Sequence, residues 1–434
     1  MKVSLVRAAG LLSLVFASSI AVAAPLLDLP STAASQPALD SPSAELPALK
    51  FGQGTLPESA LNRGMMDYRL HAGTTVIGGY GEFTSSFVRN PQNHWDGSAT
   101  LRRLVVFLAH NFNEKFRTYL EIEWENARVC ASDCLGEVEI EQAFVDWQIG
   151  GDAFGLRAGL VLMPFGIINQ WHEPPIFHGV ERPAVDRLII PTTWRELGLG
   201  VFGAPLGGML HYEAYVTTTY DPAKLSENGL RETSTEGSFT PSNGIAAIAH
   251  VDVEPRLGLI AGASAFASET GDNLHGFDAS GAAASIHYPT LGYELDLRLR
   301  QWGVEARVVW ADFFMPNASQ VMRLFGASGG PIISEGTVPK RFYGGYIEGA
   351  YDILRLLAST RQQLLPFVRL ELYDSQAQLP GGFTRNRALT AREITTGLSY
   401  RPIQQLVFKA DAQFSFRDNG ARGIQLDLGT GFMF

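Results

Sequence analysis

The sequence lacks long hydrophobic runs. The longest uncharged apolar stretch of its 434 residues lies at 8–22, and it falls short of the roughly 20 apolar residues that a helix needs to cross a bilayer. Lys2 and Arg7 precede this stretch and an Ala-Val-Ala cleavage site ends it. Residues 1–23 are therefore predicted to be a signal peptide, with an anchoring helix as the alternative. An exported chain that crosses a membrane without such runs has to close its strands into a barrel, because hydrocarbon offers open backbone groups no partner.

Cysteine, lysine and positive charge are also scarce. Cys130 and Cys134 are the two cysteines, and in an exported protein this close spacing predicts one loop disulfide rather than a metal site, which would need more ligands. The chain has six lysines and a formal net charge of -10. Such a balance argues against nucleic acid as a partner.

Alternation of apolar and polar residues is what the sequence has in abundance. The segment 116–125 shows it most clearly, because Phe116, Leu120 and Trp124 share one face and three glutamates share the other. A β-strand sends alternate side chains to opposite faces. Three carboxylates in a row cannot lie in a dry core without a large cost, so they must face water. In an exported chain, the apolar face is then predicted to face lipid; a soluble sandwich is the alternative.

About sixteen segments carry this signal, and most have the roughly 9 to 11 residues that a tilted membrane strand requires. Short and long connections alternate between them, as in outer-membrane barrels, although the last connection, at Asp418-Asn419-Gly420, reads as a tight hairpin. Residues 24–72, rich in Pro, Ala and Ser, are predicted to be a disordered periplasmic lead-in, and residues 73–434 the barrel. The predicted strands are 75–88, 99–111, 116–126, 137–149, 154–162, 195–202, 209–219, 244–254, 257–267, 290–299, 303–313, 342–353, 364–374, 391–401, 406–416 and 423–434.

Two of these strands break the alternation. Arg102 and Arg103 are adjacent in the second strand, and Glu139 and Glu141 share a face with apolar residues in the fourth. Two explanations remain open: the charges lie above the membrane rim, or a β-bulge shifts the register.

The connection between the fifth and sixth strands, residues 163–194, is the densest cluster of unusual residues. It contains Met-Pro-Phe-Gly, Trp-His-Glu-Pro-Pro and Val-Glu-Arg-Pro. A loop of this length with several prolines and apolar anchors is predicted to be ordered. Folded into a wide barrel it would narrow the channel; an external loop packed on its neighbours is the alternative.

Several motifs resemble the phosphate-selective porin family of the O and P type. They are the strand end 159–166 with Pro-Phe-Gly, the following Glu-Arg, the Arg-Glu-Leu-Gly strand start at 195–198, residues 366–369 and 397–402, and the terminal Phe434. The resemblance covers roughly residues 73–434. It implies an all-β, antiparallel up-and-down transmembrane barrel of about sixteen strands, assembled as a homotrimer, whose third external loop folds inward. By position it makes Glu181, Arg182 and Arg187 constriction-loop residues.

The function expected is passive diffusion of small hydrophilic solutes or ions through a water-filled pore in the outer membrane of a Gram-negative bacterium. Few lysines and the acidic row of the third strand favour a general pore over a phosphate- or anion-selective channel of the same family, which is the first alternative. A receptor or adhesin that uses the long external loops is the second. Outer-membrane lipid and lipopolysaccharide are the expected surroundings. The predicted pore-lining residues are Arg117, Glu121, Glu123, Glu125, Arg157, Arg298, Arg369, Glu371, Lys409 and Asp411, and His172 and Glu173 join the constriction loop.

No enzyme motif is expected to be functional. Residues 326–330 spell G-x-S-x-G, but a nucleophile elbow needs a strand before it and a helix after it, and this segment lies in a glycine-rich loop. His172-Glu173 lacks the second histidine of a zinc protease helix, and the following prolines forbid that helix. No metal or other cofactor is predicted.

Overall fold

The computed structural model describes residues 72–434, apart from 91–92, 128–135, 239–243, 270–274, 327–328, 330, 334–335 and 358–359. Within these residues, sixteen antiparallel strands form one closed barrel. The predicted fold class and strand number are confirmed. The predicted signal peptide, the lead-in apart from Ala72, the disulfide between Cys130 and Cys134, and the serine of the G-x-S-x-G segment lie outside the described residues.

The strand bounds agree with the predicted ones to within a few residues. The first nine strands are β1 Thr75–Arg89, β2 Trp95–Asn111, β3 Phe116–Glu125, β4 Glu137–Gln148, β5 Gly155–Leu162, β6 Arg195–Gly203, β7 Leu210–Thr217, β8 Ile245–Arg256 and β9 Leu259–Glu269. The others are β10 His275–Phe277, β11 Ala283–Ser285, β12 Pro289–Gln301, β13 Val304–Phe314, β14 Arg341–Tyr351, β15 Gln363–Gln378, β16 Thr390–Ile403, β17 Leu406–Arg417 and β18 Arg422–Met433.

Each barrel strand pairs with its neighbours in sequence, and β1 pairs with β18 to close the ring. β10 and β11 form a separate two-stranded sheet within the connection from β9 to β12. The tight hairpin predicted at Asp418-Asn419-Gly420 is present, since β17 ends at Arg417 and β18 begins at Arg422.

The two faces of the barrel differ in polarity as the alternation predicts. Along β12, Leu291, Leu295 and Leu297 are 51%, 53% and 45% exposed, whereas Glu294 and Arg298 are buried. The same division holds in β3, where Trp124 is exposed and Glu121 and Glu123 are buried. Because a closed barrel has only an inside and an outside, the apolar side chains lie outside and the charges inside.

Exposed aromatic residues collect where the short turns lie. Phe116 and Trp147 stack with their ring centroids 5.6 Å apart, and Trp302 and Phe434 are also exposed there. Aromatic residues at this height are typical of the boundary between hydrocarbon and water around membrane barrels.

β-Bulges explain both breaks in the alternation. The pairing of β1 with β2 slips so that Arg103 faces Glu82 and Leu101 faces Phe83, which leaves Arg102 as the extra residue. The pairing of β3 with β4 slips between Glu121 and Ile122 and leaves Glu141 unpaired. An extra residue in one strand reverses the faces beyond it, so the charges on both sides of each bulge turn inward.

Four helices of one turn each occur among the described residues: α1 Ile167–Gln170, α2 Val185–Leu188, α3 Ala318–Val321 and α4 Leu354–Leu357. None of the described helices is both long and apolar enough to cross a bilayer.

Candidate functional site: the barrel interior

The connection from β5 to β6, called here the 163–194 segment, packs its apolar side chains against inward-facing residues of the barrel. Met163, Phe165 and Trp194 are at most 2% exposed. The Phe165 ring lies 5.0 Å from Phe313 of β13, and Trp194 lies 4.8 Å from Phe266 of β9, centroid to centroid. Burying such large rings on both sides of the segment strongly favours one position for it.

A histidine in the middle of the segment bridges two acidic residues of the wall. Nδ1 of His178 lies 2.7 Å from Glu348 of β14, and its Nε2 lies 2.9 Å from Glu305 of β13. An ionised carboxylate accepts hydrogen bonds but cannot donate them, so a ring that donates one hydrogen to each of the two glutamates is the charged imidazolium. His178 is fully buried, and it therefore ties the segment to the wall through two charge-assisted hydrogen bonds.

Backbone groups of the segment are held by four of the predicted pore-lining residues. Lys409 donates to the carbonyl of Gly179 at 2.8 Å, and Asp411 accepts from the amide of Val180 at 2.6 Å. Glu371 accepts from the amide of Val185 at 3.3 Å. Arg369, which is fully buried, pairs with Glu371 at 2.7 Å and with Glu348 at 3.2 Å.

Three other predicted pore-lining residues, all arginines, pair with acidic side chains. Arg117 and Arg157 both contact Asp146, each at 2.8 Å. Arg298 pairs with Asp296 at 2.8 Å and also with Asp252. The inward-facing positive charges are thus interleaved with negative ones along the wall.

Glu181, Arg182 and Arg187 of the segment lie together beside a cavity of about 450 Å³. The cavity is at the long-loop end of β1, β2 and β3, and its lining includes Arg102, Arg103, Arg231, Glu82 and the predicted pore residue Glu125. Glu181 forms ion pairs with Arg102 and, at 3.6 Å, with Arg187.

The charges around this cavity perturb one another. Burial alone would raise the pKa of Glu181, but the hydrogen bond and positive charge of Arg102 hold this pKa below its usual range. Burial, and then the nearby charge of Arg103, lower the pKa of Arg182. Nη2 of Arg182 is buried and has no acceptor among the described residues.

His172, Glu173, Glu121 and Glu123 meet on the opposite side of the segment from His178. Nε2 of His172 lies 3.3 Å from Oε2 of Glu141, and Glu121 accepts from Gln142 at 2.6 Å. Burial raises the pKa of Glu173. The two histidines of the segment therefore contact different walls and are not brought together.

Some residues of the interior were missed from the sequence. Glu305 and Glu348, the partners of His178, have the same parity as other inward residues of β13 and β14, so the alternation alone could have found them. Glu141 and Arg103 could not be assigned in this way, because each lies at or next to a bulge.

Comparison with known proteins identifies relatives by sequence and by fold. No known protein-family profile matches the chain. A protein of Aquifex aeolicus (strain VF5), described as uncharacterized, is 31% identical over 355 residues, which cover 79% of this chain and 76% of that protein. This chain belongs to the same family.

Solved outer-membrane proteins share the fold of this family member. Salmonella typhi OmpF, solved as a complex with daunomycin, superimposes with a TM-score of 0.55 at 11% identity, covering 84% of this chain and 98% of OmpF. The outer-membrane channel DcaP of Acinetobacter baumannii gives 0.54 at 11% identity, with coverage of 84% and 98%. The anion-selective porin of Comamonas acidovorans gives 0.50 at 10% identity, with coverage of 83% and 100%. At these identities the likeness shows that the fold is the porin barrel.

Proposed function

We propose that this protein is an outer-membrane pore through which small hydrophilic solutes and ions diffuse passively. The observation that carries the proposal is the division of the barrel faces, with leucines such as Leu295 exposed outside and Glu294 and Arg298 inside. Hydrocarbon solvates the first kind of surface and water the second. The aromatic residues at the short-turn end and the porin fold support a place in the outer membrane of a Gram-negative bacterium.

The 163–194 segment is proposed to be the constriction of this pore. It contacts β13 and β14 through His178, β15 through Val185 and β17 through Gly179 and Val180. Contacts to several strands support a position across the lumen rather than outside the barrel. Solute then passes between this segment and the charged wall.

Weak ion selectivity is the expected consequence of the wall. Arg117, Arg157, Arg298 and Arg369 each pair with at least one carboxylate. Paired charges cancel at distances beyond a few ångströms, so neither cations nor anions meet a continuous field of one sign. Such a wall supports a general pore.

An anion-selective channel is the second candidate, because of the cavity beside Glu181. Five arginines and four glutamates line this cavity, and Arg182 has a buried nitrogen without an acceptor among the described residues. If the charges around this cavity, rather than those along the wall, govern which ions pass, anions are favoured.

Conductance of the purified full-length protein in planar bilayers tests the proposal. We expect ohmic steps and, in a salt gradient, a reversal potential close to zero. A reversal potential near the chloride limit would favour the anion-selective channel, and the same measurement in phosphate would show whether phosphate is preferred. Folded protein that inserts but conducts no current would refute the pore and favour a receptor or adhesin.

Export and assembly belong to the same proposal. Residues 1–23 are proposed to direct export to the periplasm, and the barrel to assemble as a homotrimer in contact with lipid and lipopolysaccharide. N-terminal sequencing of the mature protein tests the cleavage site, and light scattering in detergent tests the number of chains in the assembly. A mature chain that begins at Met1, or a monomer in detergent, would contradict them.

A further inference from the structure

A buried histidine and two buried glutamates meet inside the barrel. His172 comes from the 163–194 segment, Glu121 from β3 and Glu141 from β4. One ligand atom from each side chain lies within 4.8 Å of the other two. The three residues are 3%, 4% and 0% exposed. One imidazole nitrogen and two carboxylate oxygens at this separation are a donor set that transition-metal ions accept.

Hydrogen bonding orients the His172 ring toward the glutamates. Its Nδ1 lies 3.2 Å from the backbone carbonyl of Asn169, and because a carbonyl only accepts, Nδ1 carries a hydrogen. In the neutral ring, Nε2 then presents a lone pair to Oε2 of Glu141, 3.3 Å away. Two acceptors at that distance repel unless a proton or a cation lies between them. A histidine held by a backbone carbonyl through its second nitrogen is the usual arrangement at metal sites.

A second observation also calls for a cation or a proton at this cluster. Oε1 of Glu141 and Oε1 of Glu123 are both buried without a nitrogen donor among the described residues, and the two carboxyl groups contact each other. Burying an ionised carboxylate oxygen without a partner costs on the order of several kcal/mol of folding free energy. Arg103 contacts Glu123 and Glu82 only at 3.6 and 3.5 Å, so it compensates the acidic cluster in part.

The position of Glu141 depends on the bulge in β4. Glu141 is the extra residue in the pairing with β3, and its side chain points inward next to Glu121. Bulges often redirect a side chain at a functional site. The acidic cluster therefore exists because one residue is inserted in the strand, and not because of the simple alternation.

We infer that Glu121, Glu141 and His172 bind a divalent transition-metal ion of the zinc type, which links the 163–194 segment to the wall formed by β3 and β4. The nitrogen donor favours zinc, nickel or copper over magnesium or calcium, which prefer oxygen ligands alone. The inference does not depend on the conduction of solutes, since the ion bridges two parts of the fold.

Zinc binding by the full-length protein tests this inference. Tag-free protein is treated with chelator, equilibrated with Zn²⁺ and measured by elemental analysis and calorimetry. We expect one Zn²⁺ per chain, lost in His172→Ala and at least 10-fold weaker in Glu141→Gln. His250→Ala is the matched control: His250 is also buried and inward-facing and lies near Asp252 at 3.2 Å, but it has no part in the site, so this variant should keep the ion.

Two results would overturn the inference. One is wild-type protein that binds no Zn²⁺, which would show that a proton joins His172 to Glu141. The other is His172→Ala that binds as the wild type does. If this variant does not fold, the Cu²⁺-loaded wild type decides by electron paramagnetic resonance: one coordinated imidazole supports the site, and none or two contradict it. Because the readout is metal content and not current, it is independent of the outcome of the conductance test.

Discussion

Replacing His178 with alanine should release the 163–194 segment from the barrel wall. The imidazole donates to Glu348 at 2.7 Å and to Glu305 at 2.9 Å. A hydrogen bond to a charged group contributes about 1.5–3 kcal/mol. Glu305 keeps Arg401 and Glu348 keeps Arg369, each at 3.2 Å, so the lower value applies and the two bonds together contribute about 3 kcal/mol. We expect the population with a displaced segment to rise by about 100-fold, at 1.4 kcal/mol for each factor of ten.

Single-channel recording measures this displacement directly. If the segment narrows the lumen, the His178→Ala channel should show more frequent transitions to larger conductance and greater current noise than the wild type. Limited proteolysis of the folded barrel provides a second readout, because a displaced segment is cleaved faster.

His250→Ala is the control for the loss of a buried histidine. His250 lies on β8, where it contacts Ser264 at 2.9 Å and Asp252 at 3.2 Å on neighbouring positions of the wall. This variant should keep the conductance of the wild type. Unchanged noise and unchanged cleavage in His178→Ala, or equal effects in both variants, would refute the reasoning that His178 holds the segment.

Three further predictions follow from other parts of the barrel. Burial, and then the charge of Glu371, raise the pKa of Asp186 in α2 to about 7. The packed segment therefore favours the protonated carboxyl and loses stability as the pH rises from about 4 to 7. Protease should cleave the segment faster at the upper end of this pH range, and Asp186→Asn should weaken this dependence on pH. Leu295→Arg on the outer face should destabilise the barrel in lipid by about 2–4 kcal/mol, measured by urea titration in vesicles. Substitution of arginine for the exposed Leu357 in α4 should have little effect. Equal stability of the two variants would contradict the assignment of Leu295 to the lipid-facing surface. Arg182→Glu together with Arg187→Glu should move the reversal potential toward cations, and an unmoved potential would show that the cavity of about 450 Å³ does not govern passage.

The alternation of side chains was enough to find the strands and their faces. The predicted segment 116–126 became β3, with Trp124 exposed and Glu121 buried, and the predicted segment 290–299 became β12. Period-two alternation is a local property, because each residue takes the opposite face from its neighbour wherever the strand lies. The number of strands is the number of such segments. The closed barrel then follows from the lengths of the strands and from the need to satisfy every backbone group in hydrocarbon.

Bulges and cross-barrel partners were decided only by the tertiary structure. The sequence left the register open around Arg102 and Glu141, because an inserted residue is recognised only against the strand with which it pairs. His178 meets Glu305 and Glu348 across 127 and 170 residues of sequence, and His172 meets Glu141 across 31. Which charges meet depends on the stagger of the strands and the path of the 163–194 segment. These are properties of the assembled barrel, so no local pattern of residues encodes them.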